Sequence, residues 1–141
     1  MSSLFLVPEN FPQLSTALAS GRWVIACLCA GWCDVCKQYR PGFDALAAQY
    51  PQHLFVWIDI EDQADLVGDL DVENFPTILI QKIDLVAFYG PMTPEPRLIA
   101  RIMEAQLTRP EAELRREASS TPERQKWQAE CNLIARLDEV S

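Results

Sequence analysis

The feature that most restricts how this chain can fold is Trp32-Cys33-Asp34-Val35-Cys36-Lys37, two cysteines with two residues between them. Before them, Trp23 to Cys29 is almost continuously apolar, as in a central strand covered on both faces. After them, Phe43, Leu46, Ala47 and Tyr50 recur at helical spacing, with Pro41 inside the run where it should kink the helix. A Cys-x-x-Cys at a strand-to-helix junction reads as a dithiol redox site. With Cys33 at the helix start, the unpaired N–H groups and positive dipole end favour its thiolate. Cys36 lies almost one turn further on and can reach the same sulfur.

The 141 residues suffice for one domain with its own core, and the apolar fraction of 49% is ordinary for a soluble protein. A formal charge of −8 argues against a nucleic-acid partner, because phosphate binding needs a basic face. The short apolar run Leu4–Val7 is preceded by no Lys or Arg and is too brief for a signal peptide. No stretch approaches the ~18 apolar residues of a membrane span. The expectation is therefore a cytoplasmic protein, away from membranes. Five cysteines in a reducing compartment should not form a structural disulfide framework, and the odd count agrees.

Taken in order, Leu4–Val7 predicts a first strand. Asn10-Phe11-Pro12-Gln13 predicts a helix start with Asn as cap, and Gly21 a helix end. Leu54 to Ile60 predicts a second buried strand, and 61–70 a short helix. Thr77–Ile80 and Leu85–Tyr89 predict two strands joined by a short hairpin link. Thr93-Pro94 opens a helix with Leu98, Ile99, Ile102 and Met103 on one face. This order predicts an α/β layered sheet of mixed direction, flanked by helices. The domain division is 1–107 for the layered sheet and 108–141 for a charged linker and C-terminal helix. That helix starts at Thr121-Pro122 and carries Trp127, Cys131, Ile134 and Leu137 or Val140 as a stripe. It is expected to dock on the domain; the alternative is a partner-binding helix, for instance in a homodimer.

At this point the chain resembles a thioredoxin over roughly residues 4 to 107. The resemblance is carried by Trp32-Cys33-x-x-Cys36-Lys37, by Pro41, by Phe75-Pro76-Thr77 ahead of a strand, by Trp57-Ile58-Asp59-Ile60-Glu61, and by Gly90. It implies a thioredoxin-like fold with a C-terminal helical extension. It implies thiol–disulfide oxidoreductase activity of the protein disulfide reductase type, through a redox-active Cys33–Cys36 disulfide and with no further cofactor and no metal. Implied partners are protein disulfide substrates and an upstream reductase. Pro76 should follow a cis peptide bond beside the dithiol, and Phe75 should offer its backbone to a substrate chain. The chain departs from the family pattern in four places. Asp34-Val35 replaces Gly-Pro between the cysteines, Cys27 replaces a buried carboxylate, Trp57 its lysine partner, and Cys29 a second tryptophan.

On this reading Cys33 attacks a substrate disulfide and Cys36 resolves the mixed disulfide. Trp32, Phe75, Pro76 and Thr77 are the substrate-binding candidates, with Trp32 shielding the dithiol. Asp34 and Lys37 are the charges placed to modulate the thiolate, Asp34 against it and Lys37 for it. The pair should be more reducing than those of strong oxidases with this fold. Without the buried acid, the proton of Cys36 goes to water, substrate or Asp34.

Cys27 and Cys29 share one strand face and read as buried small hydrophobes; a four-cysteine metal site with Cys33 and Cys36 is the minor alternative. Cys131 reads as packed, His53 as a surface histidine, and Trp23 and Trp57 as core. The competing functional class is a catalytically weak interaction module that recognises a protein partner.

Overall fold

A computed structural model describes residues 3–67, 76–93 and 95–140. Five strands form one sheet: β1 (Leu4–Phe5), β2 (Trp23–Cys29), β3 (Leu54–Asp59), β4 (Thr77–Lys82) and β5 (Leu85–Pro91), in the spatial order β1-β3-β2-β4-β5. β1, β3 and β2 run parallel, while β4 and β5 each run antiparallel to the strand before them in that order. Parallel neighbours need long crossovers. α1 (Phe11–Ala19) supplies the first and α2 (Asp34–Gln49) the second. After β3 come α3 (Ala64–Val67) and, beyond the β4–β5 hairpin, α4 (Pro96–Leu107), α5 (Glu111–Ala118), α6 (Pro122–Glu130) and α7 (Leu133–Val140). The expected mixed α/β layered fold is present.

Strand period two splits β2 between two cores. Trp23, Ile25, Cys27 and Cys29 face α2, α4 and α5, beside Phe43, Phe55, Trp57, Ile99 and Met103. Val24, Ala26 and Leu28 face α1, α3 and α7, beside Leu14, Leu18, Val56, Leu66 and Leu137. Phe43 anchors the first core, with edge-on contacts to Phe55 and Trp57 at centroid distances of 5.5 and 5.7 Å. Both faces of the central strand are therefore dry, which explains its unbroken apolar run.

Several local expectations need correction. Asn10 stands at the α1 cap position but its side chain does not cap that helix. It accepts instead from Val7 N and donates to Phe5 O, tying down the preceding turn. The helix expected over 61–70 is confined to Ala64–Val67 within the described residues, because Asp59 Oδ1 takes the Glu61 and Asp62 N–H groups and holds that stretch as a turn. α4 begins at Pro96, after Glu95; of the expected Thr93-Pro94 start, Pro94 lies outside the described residues. The hairpin link is two residues long, Ile83 and Asp84, and Ile83 is held at φ +53. Glycine normally takes that position in a tight hairpin, and a β-branched residue there is strained by about 1–2 kcal/mol. The Ile83→Gly variant is expected to be more stable, by about 0.5 kcal/mol once glycine's chain entropy is counted. A lower midpoint in urea would show that the Ile83 side chain contributes more than its backbone costs.

The segment 108–120, expected as a charged linker, contains α5, with Leu114 and Ala118 buried in the first core. Its charges lie on the other face. Arg109 and Arg124 both bind the Glu117 carboxylate, Arg124 at 2.9 Å, and Arg109 also binds Glu113 at 3.0 Å. The expected single C-terminal helix is two helices. α6 stops at Cys131, and Asn132 starts α7 by accepting from Ile134 N. Thr121 caps α6 as expected, accepting from Arg124 N at 3.1 Å.

The Arg109 hydrogen bond is the main reason the Glu117 carboxyl titrates below its ordinary value of 4.5. A carboxylate whose pKa is lowered by folding stabilises the fold above its unfolded value, and that contribution is lost as pH falls through the folded value. Stability should therefore decline below about pH 4.5, and Glu117→Gln should flatten that slope. An unchanged acid limb in a pH series of urea melts would count against this.

Candidate active site

β2 delivers its chain at Cys29, Ala30 and Gly31 turn it, and Cys33 becomes the N-cap of α2. Cys33 N donates to Ala30 O at 3.0 Å and Lys37 N to Cys33 O at 3.2 Å, so the turn and the first helical turn fix the thiol's backbone from both sides. A Cβ on Gly31 would stand 3.0 Å from Asp59 Oδ2, so any side chain there would push the Asp59 carboxylate aside. Cys33 is a free, half-buried thiol, and Cys36, one turn on, is only 1% exposed.

Cys36 is not paired with Cys33. It is joined to Cys29 across a Cα separation of 5.9 Å, inside the range a disulfide spans. This corrects two expectations: the Cys33–Cys36 disulfide is not the one present, and Cys29 is not a bystander. The physical reason is parity. Cys27 and Cys29 point to the face of β2 that α2 covers, and the inward stripe of α2 begins with Cys36. The strand end and the helix start thus bring Cys29 under Cys36.

Around this pair the interior is largely apolar. Cys27 is fully buried with its Sγ 3.8 Å from that of Cys29, and burial pushes its thiol well above the ordinary range. Tyr39 is 2% exposed, its hydroxyl has no hydrogen-bond partner among the described residues, and burial raises it too, with a further contribution from Cys27. Cys27 pairs in register with Trp57, so the two replacements for the family's buried acid and lysine are indeed cross-strand neighbours. The Arg40 guanidinium lies 5.2 Å from the Trp57 ring and 4.9 Å from the Phe5 ring, where cation–π attraction favours it. Arg40 is the nearest thing to a replacement for the missing lysine charge, since it draws the Cys27 thiol downward against burial. The spacing Cys36 to Arg40, one helical turn, was the available signal for it.

At the surface, Trp32 is 66% exposed and Val35 41%, the two large apolar side chains most open to solvent among the described residues. Trp32 therefore presents much of its side chain to solvent. Asp34 and Lys37 approach each other at 4.0 Å, both well exposed, so their charges offset one another weakly. Pro76 is buried and its carbonyl accepts from Met92 N at 3.0 Å; Thr77 is buried and pairs with Leu28. Phe75 and its bond to Pro76 lie outside the described residues.

The remaining candidates stand apart. His53 lies at the opposite end of β3 from Asp59, half-buried against Tyr50. Cys131 sits in the second core, where burial pushes its thiol up to about 12. No group of three or more His, Cys, Asp or Glu among the described residues is arranged to hold a metal. Among those residues no helix is long and apolar enough to cross a membrane.

A half-exposed cysteine capping a helix, with a second cysteine one turn inside and a proline-led antiparallel strand beside them, defines a thiol-bearing α/β protein of the dithiol class. Comparison with known proteins agrees. The family model for thioredoxin matches residues 3–104. A putative thioredoxin 2 of Streptomyces coelicolor is 30% identical over 90 residues, covering 64% of this chain and 65% of its own. A wild-type thioredoxin h of poplar shares the fold at a TM-score of 0.68 and 21% identity, over 78% of this chain and 100% of its own. A complex of ferredoxin:thioredoxin reductase with thioredoxin f2 contains a chain similar at a TM-score of 0.65 and 20% identity, over 76% of this chain and 96% of its own. The chain belongs to the thioredoxin family. It spans 46% and 65% of the length of the first two curated relatives it matches.

Proposed function

We propose that the chain is a thiol–disulfide oxidoreductase of the protein disulfide reductase type, with Cys33 as nucleophile and Cys36 as resolving thiol. The observation that carries this is the free Cys33 thiol at the α2 N-terminus, half-exposed and flanked by exposed Trp32 and Val35. The two apolar side chains offer a partner protein something to bury. The Cys33 thiolate attacks one sulfur of a substrate disulfide and the other substrate sulfur leaves as a thiolate. Cys36, released as a thiol once a dithiol donor has reduced its bond to Cys29, then attacks Cys33 and expels the second substrate thiolate, leaving Cys33–Cys36 oxidised. A dithiol donor must return two electrons for each cycle, the role of an upstream reductase. Thioredoxin f2 in complex with its reductase is an example within this fold. Pro76 and Thr77, at the same sheet end, are the proposed floor for a substrate chain.

The second reading, a catalytically weak interaction module, gains from one observation: Cys36 is bonded to buried Cys29, where it resolves nothing. Insulin reduction driven by dithiothreitol separates the two. Turnover above the dithiothreitol background supports the reductase; a rate equal to background rejects it in favour of the module.

A further inference from the structure

Resting on that reading, we propose that Cys29 is a third redox-active cysteine and that Cys36 passes between two disulfides, Cys29–Cys36 inside the fold and Cys33–Cys36 at its surface. Three features place the exchange. Cys36 stands on the first turn of α2 between the N-cap Cys33 and the strand-end Cys29. It is already joined to Cys29 while Cys33 is a free thiol. The interior side is furnished for a sulfur that must come and go: Cys27 lies 3.8 Å from Cys29, and the unpartnered Tyr39 hydroxyl is within electrostatic reach of Cys27.

The step balances without any outside oxidant or reductant. Cys33 loses its proton, its thiolate attacks the Cys36 sulfur, and a Cys33–Cys36 bond forms as the Cys29–Cys36 bond breaks. The electron pair leaves on Cys29, which takes up one proton in place of the one Cys33 released. The S–H of Cys27 is placed to hydrogen-bond the departing sulfur, and an unassisted buried thiolate would be costly.

The Cys29–Cys36 form and the donor-reduced chain differ in what they do to a substrate. With Cys36 held by Cys29, Cys33 still attacks a substrate disulfide, but nothing in the chain resolves the adduct. It leaves only when a substrate thiolate attacks it, which rearranges substrate disulfides with no net electron transfer. When a dithiol donor first reduces either disulfide, Cys33 and Cys36 are both thiols, so Cys36 resolves the adduct and the substrate is reduced. Cys29 therefore sets the balance between rearrangement and reduction.

The test is thiol mapping of the full chain. The Cys33→Ser variant is oxidised with diamide, free thiols are blocked with one alkylating reagent, and the protein is reduced and labelled with a second. Trypsin releases residues 23–37 as one peptide, because no Lys or Arg interrupts it, and fragmentation assigns each label. Two of the four remaining cysteines, Cys29 and Cys36, should carry the second label. All four carrying the first would overturn the proposal, since Cys36 would then have no partner but Cys33. Should Cys33→Ser fail to fold, the oxidised wild-type chain decides the same question: second label on Cys29 in a measurable fraction supports exchange, and its confinement to Cys33 and Cys36 refutes it. The cross-link is read without turnover, so a chain that maps as expected yet never reduces insulin condemns the reductase reading and spares the disulfide assignment. Turnover without second label on Cys29 does the reverse.

Discussion

Cys36→Ser should turn the protein into a trap: incubated with a disulfide-bonded substrate, it should accumulate one mixed disulfide per chain, on Cys33, and its turnover should fall to background. Cys33 stands at the N-cap position of α2 with a half-exposed thiol, and its backbone is held by Ala30 and Lys37, not by Cys36. Its attack should survive the substitution. The adduct, however, can be resolved only by a thiol on the same turn, and Cys36 alone fits that place. Cys29 is on the strand below, 1% exposed, and reaches Cys36 and not the surface. Cys33→Ser should lose turnover equally but form no adduct, because a hydroxyl is not a nucleophile toward sulfur at neutral pH. Non-reducing electrophoresis with thiol counting distinguishes the variants. Wild-type turnover in Cys36→Ser would remove Cys36 from the mechanism.

The fold was readable from the sequence because its parts agree with one another. β2 is apolar on every residue, which only a strand covered on both faces tolerates, and α1 and α2 carry apolar stripes on the faces that cover it. Cys33 was readable for the same reason, as it lies where strand period gives way to helical period. Cys29 was not. Residues two apart on one strand face are poorly placed to bridge, which separates Cys29 from Cys27 but says nothing about Cys36 on the next element. Only the combined parity of β2 and α2 selects the pair. The 111–118 helix was missed on composition: two apolar anchors, Leu114 and Ala118, suffice when a strand edge waits for them, and charge on the other face hides the stripe. The break at Asn132 was missed because the stripe from Trp127 to Val140 runs nearly unbroken through it, while the cap that interrupts it is one side chain.

Gln81→Leu is expected to lower stability by about 3 kcal/mol, although leucine nearly conserves the volume and leaves no large cavity. Gln81 is fully buried at the end of β4, and its amide is used on both sides. Its Oε1 accepts from Leu133 N at 2.8 Å; its Nε2 donates to Ile83 O at 2.7 Å and Asn132 Oδ1 at 2.8 Å. Leu133 is 3% exposed, so its N–H would be left dry and unpaired, which alone costs roughly 1–3 kcal/mol. The other two bonds contribute about 1 kcal/mol each, partly recovered through water at the half-exposed turn. For a chain of this size the midpoint of thermal unfolding should fall by roughly 10 °C. Gln128→Leu provides the contrast. Gln128 pairs with both Val86 N and Val86 O, at 2.9 and 2.7 Å, and so occupies the outer edge of β5 as a further strand would. It is half-buried, water can replace it, and its loss should cost about 1 kcal/mol. The difference between the two variants measures how far the C-terminal helices, which begin beyond the family match at residue 104, are part of the core. Leu114 and Ala118 lie in one core and Cys131, Leu133 and Leu137 in the other, so the helices and the sheet should unfold in one transition, with amides 133–137 exchanging as slowly as those of β4. Equal small losses in both variants, or early exchange confined to α7, would mean instead that the sheet stands without its C-terminal cover.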